Sequence, residues 1–397
     1  MKQDYLYKVL ERLIGFNTVS SLSDVPAAEY LADQFDDQGF KCALHQVDID
    51  GAKQANLLAW TGPAVPDGLI ISGHIDTVPF EGQPGWDRDP LKMEVADERI
   101  YGRGTSDMKG FLAQCAEVAR TIDPSRLRRP LVFLFTANEE TGGNGSRLIA
   151  PELQDLLGDL PPPQLAWIGE PSSNRVMSAH KSIVKFGVTV RGLGGHSGMP
   201  EQGVNAIAVM GKVIQALGGL QAERRLAVDP ELAPLFPDSP YDVMNFGTIQ
   251  GGIAINIIAE ECTLKVSYRS LPNSDPSRLY EEAERLIAAI DPHDYGSPNH
   301  LATITLSPPN VLPPMRSPAG TALEQALFAA TGTNSAGGAL YWTDAGWFAR
   351  AGIHSLICGP GEFEQAHRPN ESIGRGAFQR GPALILDVIE RICCRPA

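Results

Sequence analysis

The 397-residue chain is poor in positive charge: 33 Lys and Arg stand against 47 Asp and Glu, a formal net charge of −14. Proteins that bind the phosphate backbone of nucleic acids gather Lys and Arg, so this balance argues against a nucleic-acid partner. No apolar run approaches membrane-spanning length, and residues 1–16 form an amphipathic pattern rather than a signal peptide. We therefore expect a soluble, cytoplasmic protein that binds neither nucleic acid nor a membrane.

Cysteine is also scarce. The six cysteines are scattered without zinc-knuckle spacing, and a chain of this size needs no disulfide framework, so we expect mostly buried free thiols. The sequence lacks internal repeats and low-complexity segments as well. What remains is an ordinary globular composition, with 43% hydrophobic and 20% charged residues, at a length beyond the usual single core. These values predict two globular domains.

A candidate metal-binding pair follows an apolar run. Residues 68–72 (GLIIS) are typical of a buried strand, and His74 and Asp76 come directly after them. A metal-ligating imidazole usually donates its second N–H to a carboxylate, which fixes the tautomer of the ring. His74 and Asp76 supply such a pair, although a His-x-Asp sequence at a strand end is more often an ordinary surface pairing.

Two further predicted strands end in acids. The buried run 131–137 (LVFLFTA) is followed by Glu139 and Glu140, and the run 164–171 contains Glu170 near its end. On a surface loop the adjacent pair would carry no meaning, but ligand sites lie at the carboxyl ends of strands in α/β sheets. We therefore expect these strand ends to bring acids and an imidazole to one edge of a sheet.

Two more candidate ligands lie outside these strands. Asp107 stands where a glycine-containing loop meets a predicted helix, and there Ser106 or Asp107 could equally cap the helix. His367 follows the apolar run 354–358, and it would be an ordinary solvated histidine if the other ligands were absent.

The middle of the chain has a different order of elements. Between 179 and 311 the pattern is β-α-β-β-α-β, which suits a small sheet with both helices on one face. We predict an α/β fold in which a mixed-sheet catalytic domain, residues 1–178 and 312–397, carries an inserted α+β, ferredoxin-like domain at 179–311. The proline-containing segments 161–164 and 307–314 are expected to be rigid connections. The predicted helices are 5–15, 26–38, 111–121, 204–218 and 276–290, and the predicted strands of the insert are 184–192, 244–252, 261–271 and 301–307.

The motifs, taken together, resemble those of one family. In chain order they are GHIDTVP (73–79), YGRGTSDMKG (101–110), TANEETGG (136–143), IGEP (168–171), GGHSG (194–198), VSYRSLP (266–272) and CGPGEFEQAHRP (358–369). This series resembles the dizinc amidohydrolase and peptidase family that contains acetylornithine deacetylase, succinyl-diaminopimelate desuccinylase, aminoacylases and carboxypeptidase G. Within it, the similarity to acetylornithine deacetylase is closest. The resemblance covers nearly the whole chain and implies a hydrolase that acts on linear amides.

The resemblance also implies a metal centre with two Zn²⁺ per chain, for which Co²⁺ or Mn²⁺ can substitute. The implied ligands are His74 and Glu170 for one ion, Glu140 and His367 for the other, and Asp107 as a bridge. Asp76 would orient His74, and Glu139 would act as general base. Such a pair of ions polarises an amide carbonyl and lowers the pKa of a water molecule, which agrees with the implied hydrolysis.

Substrate-binding roles follow in the same way. The resemblance implies His196, Asn256 and Arg269, and further candidates are Asp344, Gly359 and Gly361. His196 would donate to the tetrahedral oxyanion, Arg269 has the shape to bind a carboxylate, and the glycines would offer backbone N–H groups. The ordinary alternatives are that His196 is a turn residue, that Asn256 sits at a bend, and that Arg269 pairs with Glu260 or Glu261.

Two positions depart from the acetylornithine deacetylase pattern. Ile257 stands where an Arg often follows the Asn, and Asp344 lies in a T-D-A-G context where T-E-A-P is expected. Asp344 could meet a cationic substrate side chain or could bind helix N–H groups. The side chain and the acyl group of the substrate therefore stay open.

Three functions agree with these features. The first is deacylation of an N-acyl-L-amino acid, foremost N2-acetyl-L-ornithine in arginine biosynthesis, with N-acetylcitrulline or N-succinyl-diaminopimelate as alternatives. The second is a dizinc dipeptidase or carboxypeptidase, and the third is a binding protein of the same fold without turnover. The resemblance further implies a homodimer that pairs through the inserted lid domain, in which His196 serves the partner's metals.

Overall fold

The computed structural model describes residues 2–291 and 300–394, and side chains from residue 5 onward within those ranges. By its internal contacts the chain divides into two compact units, Met1–Ala179 with Met315–Ala397, and His180–Pro314. The sequence-based prediction put the insert at 179–311; the ends of its outer segments, Met1 and 395–397, lie outside the described residues. Within the described ranges, no helix combines the length and apolarity that crossing a bilayer requires.

The first unit begins with alternating helices and strands. Its helices are α1 (Lys2–Ile14), α2 (Val25–Asp36), α3 (Lys109–Thr121), α4 (Asn144–Ile149) and α5 (Leu153–Leu157). Its strands up to the insert are β1 (Lys41–Ile49), β2 (Ala52–Thr61), β3 (Leu69–His74), β4 (Glu94–Ala96), β5 (Arg99–Tyr101), β6 (Leu131–Thr136), β7 (Leu165–Pro171) and β8 (Met177–His180).

The second unit confirms the predicted order of strands and helices. Its strands are β9 (Ile183–Arg191), β10 (Gly195–His196), β11 (Val243–Gly251), β12 (Ile257–Ile258), β13 (Glu261–Arg269), β14 (Thr303–Leu306) and β15 (Asn310–Leu312). Its helices are α6 (Ala206–Leu226) and α7 (Pro276–Ala288). The sheet runs β11-β13-β9-β14 with antiparallel pairing, which is the ferredoxin-like arrangement. β15 also pairs with β9, so residues 307–314 contain a strand and are not merely a rigid connection as predicted.

The chain then returns to the first unit. The elements there are β16 (Met315–Arg316), α8 (Ala322–Thr331), β17 (Gly337–Ala339), α9 (Ala345–Arg350), β18 (His354–Gly359), β19 (Ser372–Gly374) and α10 (Arg375–Ile389). The main sheet has the order β1-β2-β6-β3-β7-β18-β8-β16, and β19, β5 and β4 form a smaller sheet. The strands β6, β3, β7 and β18 are parallel neighbours.

The main sheet is covered on both faces. Along β6, Phe133 and Phe135 pack into one apolar cluster, with α1 and α3, while Val132 and Leu134 pack into another, with α5 and α9. Successive strand residues point to opposite faces, so a strand buried on both faces reads as an unbroken apolar run. This is why the runs 68–72, 131–137 and 164–171 were recognisable as strands. The six cysteines are free thiols, four of them buried, which confirms the expectation.

Candidate metal centre

The centre lies where three parallel strands end side by side. β3 stands between β6 and β7, and its last residue, His74, pairs in register with Thr136 at the end of β6. Glu139 and Glu140 follow Thr136 by a few residues, and Glu170 is the penultimate residue of β7. Parallel strands present their carboxyl ends to one edge of the sheet, so these side chains meet there.

One group of candidate ligands surrounds His74. Its Nε2 lies 3.0 Å from Oδ1 of Asp107 and 3.8 Å from Oε1 of Glu170. All three side chains are buried, and one ligand atom from each lies within 4.8 Å of the others. The three residues could therefore hold one cation between them.

A second group shares Asp107 with the first. Its other oxygen, Oδ2, lies 3.3 Å from Nε2 of His367, and that nitrogen is 2.9 Å from Oε2 of Glu140. Asp107 thus faces each group with a different oxygen. Helix α3 starts after Met108 without a side-chain capping bond, so neither Ser106 nor Asp107 caps it. The capping alternative is therefore wrong, and Asp107 lies between the two groups, where a bridging ligand would lie.

Asp76 holds this edge of the sheet together. Its carboxylate accepts hydrogen bonds from the amides of Glu139 (2.9 Å) and Glu140 (3.2 Å) and from the hydroxyl of Ser20 (2.6 Å). Asp76 contacts His74 mainly through its main chain. Nδ1 of His74 lies 2.9 Å from the carbonyl oxygen of Asp76 and 3.5 Å from its carboxylate. The predicted orienting contact is therefore made chiefly by the carbonyl, because the carboxylate is engaged by the turn after β6.

Glu139 differs from its neighbours. Its side chain is buried, with 8% exposure, and it forms no hydrogen bond or ion pair within the described residues. Burial raises its pKa well above the ordinary value, and the nearby Glu170 carboxylate adds to the rise. An unengaged carboxylate with a raised pKa can take and return a proton near neutral pH.

The centre has an excess of acidic side chains, and this excess favours the binding of cations. Burial, followed by repulsion from Asp107, raises the pKa of Glu140 to about 7, and burial with repulsion among the acids raises that of Glu170 well above its usual value. Burial opposes ionisation of Asp107, yet the imidazoles of His367 and His74 hold its pKa below the ordinary value. Buried like charges are costly unless they coordinate cations.

The donors also fit a divalent metal. Imidazole nitrogen and carboxylate oxygen are zinc ligands, and within the described ranges Oε1 of Glu140 is buried without a hydrogen-bond partner. These residues are therefore suited to hold two cations.

Comparison with known proteins assigns the family. The sequence profile described as peptidase family M20/M25/M40 matches residues 70–391. The chain belongs to this family. Acetylornithine deacetylase from Yersinia pseudotuberculosis is 35% identical over 367 residues, which cover 91% of this chain and 90% of that protein. The acetylornithine deacetylase of Klebsiella pneumoniae is 34% identical over 366 residues, with the same coverage of each chain.

Solved structures show the same fold. An aminopeptidase PepT from Bacillus cereus superimposes with a TM-score of 0.72 at 20% identity, covering 98% of each chain. A metallo-carboxypeptidase of the M20 family from Sulfolobus solfataricus gives 0.73 at 17% identity, also over 98% of each chain. YXEP from Bacillus subtilis, a dinuclear metal-binding peptidase, gives 0.63 at 14%, covering 97% of this chain and 98% of that one. This M20 chain is a hydrolase acting on amide bonds, in a metal-dependent family, and the predicted resemblance and fold class are confirmed.

Three predicted substrate residues of this M20 chain lie in the first unit, and two of them, Asp344 and Gly359, are already hydrogen-bonded there. The buried carboxylate of Asp344 accepts hydrogen bonds from the hydroxyls of Thr136 and Ser146, and it makes no capping bond to α9. It therefore binds no helix N–H groups, and its burial leaves it without an open face for a cation. The amide of Gly359 donates to the Ser172 hydroxyl at 3.0 Å, so it is not the open N–H group that was predicted.

The two glycines are needed for close packing. A Cβ at Gly359 would lie 2.0 Å from the carbonyl oxygen of Gly169, and one at Gly361 would lie 2.3 Å from that of Ser106. Real Cβ atoms do not approach so closely. These contacts seat the loop that leads to His367 against β7 and against the residue before Asp107.

The other predicted substrate residues belong to the second unit. His196 pairs with Ile257 across β10 and β12, and the Asn256 carbonyl accepts from the amide of Ser197 at 3.1 Å. The amide of Gly198 donates to Nδ1 of His196 at 3.0 Å, so a neutral ring carries its proton on Nε2. His196 can therefore present a donor to a ligand.

Arg269 is half-buried at the end of β13, and burial lowers its pKa. It has no ion pair within the described residues, and Glu261, which was one predicted partner, instead contacts Arg191 at 3.0 Å.

Two residues near the centre were missed by sequence reasoning. Tyr341 donates its hydroxyl to the carbonyl of Pro171 at 2.8 Å and stacks on Phe363 at 4.7 Å, and burial beside Glu170 raises its pKa. Glu371 is fully buried and binds the loop that carries Asp107. The sequence offers little signal for either, since the partners of both residues lie far away along the chain.

Proposed function

We propose that this chain is a metal-dependent deacylase that hydrolyses an N-acyl-L-amino acid, with N2-acetyl-L-ornithine as the first candidate substrate. The observation that carries the chemistry is the arrangement at Asp107, whose two oxygens face separate ligand groups while Glu139 stays buried and unbonded nearby. The substrate is supported by the relatives named acetylornithine deacetylase, which match 91% of the chain.

The proposed cofactor is a pair of Zn²⁺ ions, with Co²⁺ or Mn²⁺ as substitutes. His74 and Glu170 would hold one ion and Glu140 and His367 the other, with Asp107 shared. Two ions bound there would polarise the amide carbonyl and lower the pKa of a water molecule. The choice of metal rests on the ligand types alone, since nitrogen and oxygen donors accept all three ions.

The proton transfers are assigned to Glu139. Its carboxylate accepts a proton from the attacking water and returns it to the nitrogen of the leaving amine. Asp76 supports this step, because it fixes the amides of Glu139 and Glu140 and so sets where the carboxylate of Glu139 lies.

Recognition of the substrate is assigned to the second unit. Arg269 is proposed to bind the α-carboxylate, since its guanidinium has no ion pair within the described residues and suits bidentate contact. Nε2–H of His196 is proposed to donate to the oxyanion, with Asn256 as a polar neighbour. These roles rest on the family resemblance and on the free donors.

A second substrate is favoured by one observation. Asp344 is 2% exposed and accepts from the hydroxyls of Thr136 and Ser146, so it offers no open surface to the ammonium group of ornithine. A neutral side chain of similar length would need no such partner. N-acetylcitrulline is therefore the alternative substrate, and dipeptides are the alternative in the peptidase branch.

The test is a substrate panel. Purified protein is assayed with Zn²⁺ or Co²⁺, and again with chelator, on N-acetyl-L-ornithine, N-acetyl-L-citrulline, N-succinyl-diaminopimelate and dipeptides. We expect chelator-sensitive release of acetate, with the acetylated amino acids preferred. Preference for dipeptides would assign a peptidase, and lack of turnover with all of them would contradict these substrates and favour the binding role. Equal turnover of an N-acetyl amine that lacks the α-carboxylate would contradict the role of Arg269.

Location and assembly also belong to the proposal. The cytoplasmic location predicted from composition stays a prediction. A homodimer is supported by the second unit, where β11 is an edge strand and Ile249, Ile253 and Ile255 are exposed, Ile253 by 88%. Exposed apolar residues at a sheet edge are typical of a surface that pairs.

A further inference from the structure

The Glu371 side chain is a buried carboxylate with a full set of donors. Its Oε1 accepts from the amides of Ser106 (2.9 Å) and Asp107 (3.0 Å), and its Oε2 from the amide of Gly104 (3.0 Å) and from Nη1 of Arg103 (2.9 Å). Both partners of the ion pair are about 1% exposed. The carboxylate therefore fixes the main chain of residues 104–107, which ends in the shared acid Asp107.

The same side chain is tied to the second ligand segment. Glu371 follows His367 by four residues, through a turn in which His367 and Asn370 have φ values of 60° and 55°. This left-handed turn brings the chain back so that the Glu371 carbonyl accepts from the amide of Gly102 at 3.0 Å. Glu371 therefore connects the segment that ends in Asp107 with the turn that follows His367.

Arg103 completes the connection. Its Nη2 donates to Oε1 of Gln83 at 2.7 Å, and Nε2 of Gln83 donates to the carbonyl of His367 at 2.7 Å. The guanidinium also stacks over the ring of Trp86 at 5.0 Å. One continuous hydrogen-bonded path therefore runs from the amide of Asp107 through Glu371, Arg103 and Gln83 to the main chain of His367.

We infer that Glu371 is a positioning residue that sets Asp107 and His367 at the separation needed to hold the cation they share with Glu140. This inference rests on the metal centre of the proposed function. The physical reason is that partners which fix the orientation of metal ligands contribute strongly to metal affinity, typically about 10–100-fold on mutation. The ligands on the other side, His74 and Glu170, belong to strands β3 and β7 and need no such support.

The experiment measures metal binding directly. Apo protein is titrated with Zn²⁺ in competition with a chromogenic chelator, for the wild type and for Glu371→Gln. The glutamine amide keeps the shape but leaves one acceptor oxygen for four donors. We expect two ions per wild-type chain. In the variant, the ion at Glu140 and His367 should be weakened by about 10–100-fold, and the ion at His74 and Glu170 less, because it loses only the support of Asp107. Activity of the variant should recover as free Zn²⁺ is raised.

A matched control separates positioning from general destabilisation. Glu362→Gln breaks another Glu–Arg pair, in which the carboxylate of Glu362 accepts from Arg99 at 3.1 and 2.9 Å. Glu362 binds Ser106 through its main chain, which the substitution keeps. We expect this control to keep both affinities. If Glu371→Gln does not fold, Glu371→Asp, which keeps the charge but withdraws it by one methylene, is titrated instead, with an intermediate loss expected.

The outcomes discriminate between the two proposals. Two ions bound by the folded Glu371 variant with wild-type affinity would overturn the positioning role, even if its melting temperature fell. Failure of the wild type to bind Zn²⁺ at all would instead overturn the metal centre of the proposed function.

Discussion

Adjacent glutamates after β6 have opposite surroundings, and this difference predicts opposite mutant phenotypes. Glu140 contacts His367, whereas Glu139 contacts no polar partner within the described residues. We expect Glu139→Gln to keep two metals per chain while kcat falls by about 10²–10⁴-fold, the usual contribution of a general base. Elemental analysis and steady-state kinetics measure both quantities.

Glu140→Gln is the matched control, since it changes the neighbouring residue in the same way. It should lose one metal, because it removes a charged ligand. Loss of metal from Glu139→Gln would instead make Glu139 a ligand and contradict the assignment.

A second residue-scale prediction concerns Asp24, at the start of α2. Its side chain is fully buried; Oδ1 accepts from the amide of Ala55 at 2.8 Å, and Oδ2 has no hydrogen-bond partner within the described ranges. Burial, with repulsion from Asp76, raises its pKa to about 7. The folded state therefore holds a proton that the unfolded state releases above its ordinary pKa.

The sign follows from this difference. The stability that Asp24 contributes is fully present below the unfolded pKa of about 4 and is lost as pH rises through about 7. Asp24→Asn keeps the acceptor for Ala55 and removes the ionisation. We therefore expect the free energy of unfolding of the variant, relative to that of the wild type, to be higher at pH 8 than at pH 4, by on the order of 3 kcal/mol. Denaturant unfolding of both proteins with chelator, at the two pH values, measures this. A variant whose stability difference from the wild type is the same at both pH values would contradict the raised pKa.

At the scale of elements, glycines decide how closely β7 approaches α3. A Cβ at Gly169 would lie 2.0 Å from the ring of Phe111, which packs edge-on against Trp167 at 5.7 Å. We expect Gly169→Ala to lower the free energy of unfolding by about 1–3 kcal/mol, the usual cost of overpacking a core. It should also lower metal affinity, since Glu170 is the next residue.

Gly219→Ala provides a control of the same chemistry. Nothing lies within 4 Å of a Cβ at this position in α6, so the substitution should stabilise the helix by about 0.5–1 kcal/mol. Urea unfolding of both variants gives the two values. If Gly169→Ala and Gly219→Ala change the free energy of unfolding by the same amount, the predicted clash with Phe111 does not occur, because the strand shifts to relieve it.

The elements also show what the sequence can and cannot reveal. The strands buried on both faces could be predicted because an unbroken apolar run is visible in the sequence itself. Once their ends were located, the acids at those ends could be predicted to meet at one edge of the sheet. Helix α6 was predicted to end at 218 but continues to Leu226, because Leu217 and Leu220 are buried around the glycine pair at 218–219. Short strands such as β5 and β19 exist only through their pairing, which no local pattern encodes. The contacts of Asp344, Gly359 and Glu371 are long-range, so sequence reasoning could name the first two but not say what they bind.

At the scale of the whole molecule, the features assigned to substrate binding and to metal binding fall in different units. Asp107, Glu139 and His367 belong to the first unit, and His196 belongs to the second. The family resemblance implies that the second units of two chains pair and that each His196 serves the partner. The exposed Ile253 and Ile255 and the edge strand β11 support such pairing.

The prediction is tested by complementation. A His196→Ala chain and a Glu139→Gln chain are each expected to be nearly inactive, since removal of one oxyanion donor costs about 10²–10³-fold in kcat. After mixing and refolding, a heterodimer has one site that combines Glu139 of the first chain with His196 of the second. With random pairing, about a quarter of all sites are restored, and activity should rise to that fraction of the wild type. Each variant refolded alone is the control. In the heterodimer the intact Glu139 and the intact His196 belong to different chains, so only a site shared between subunits can contain both. If heterodimers form but stay as inactive as their parents, His196 acts, if at all, within its own chain.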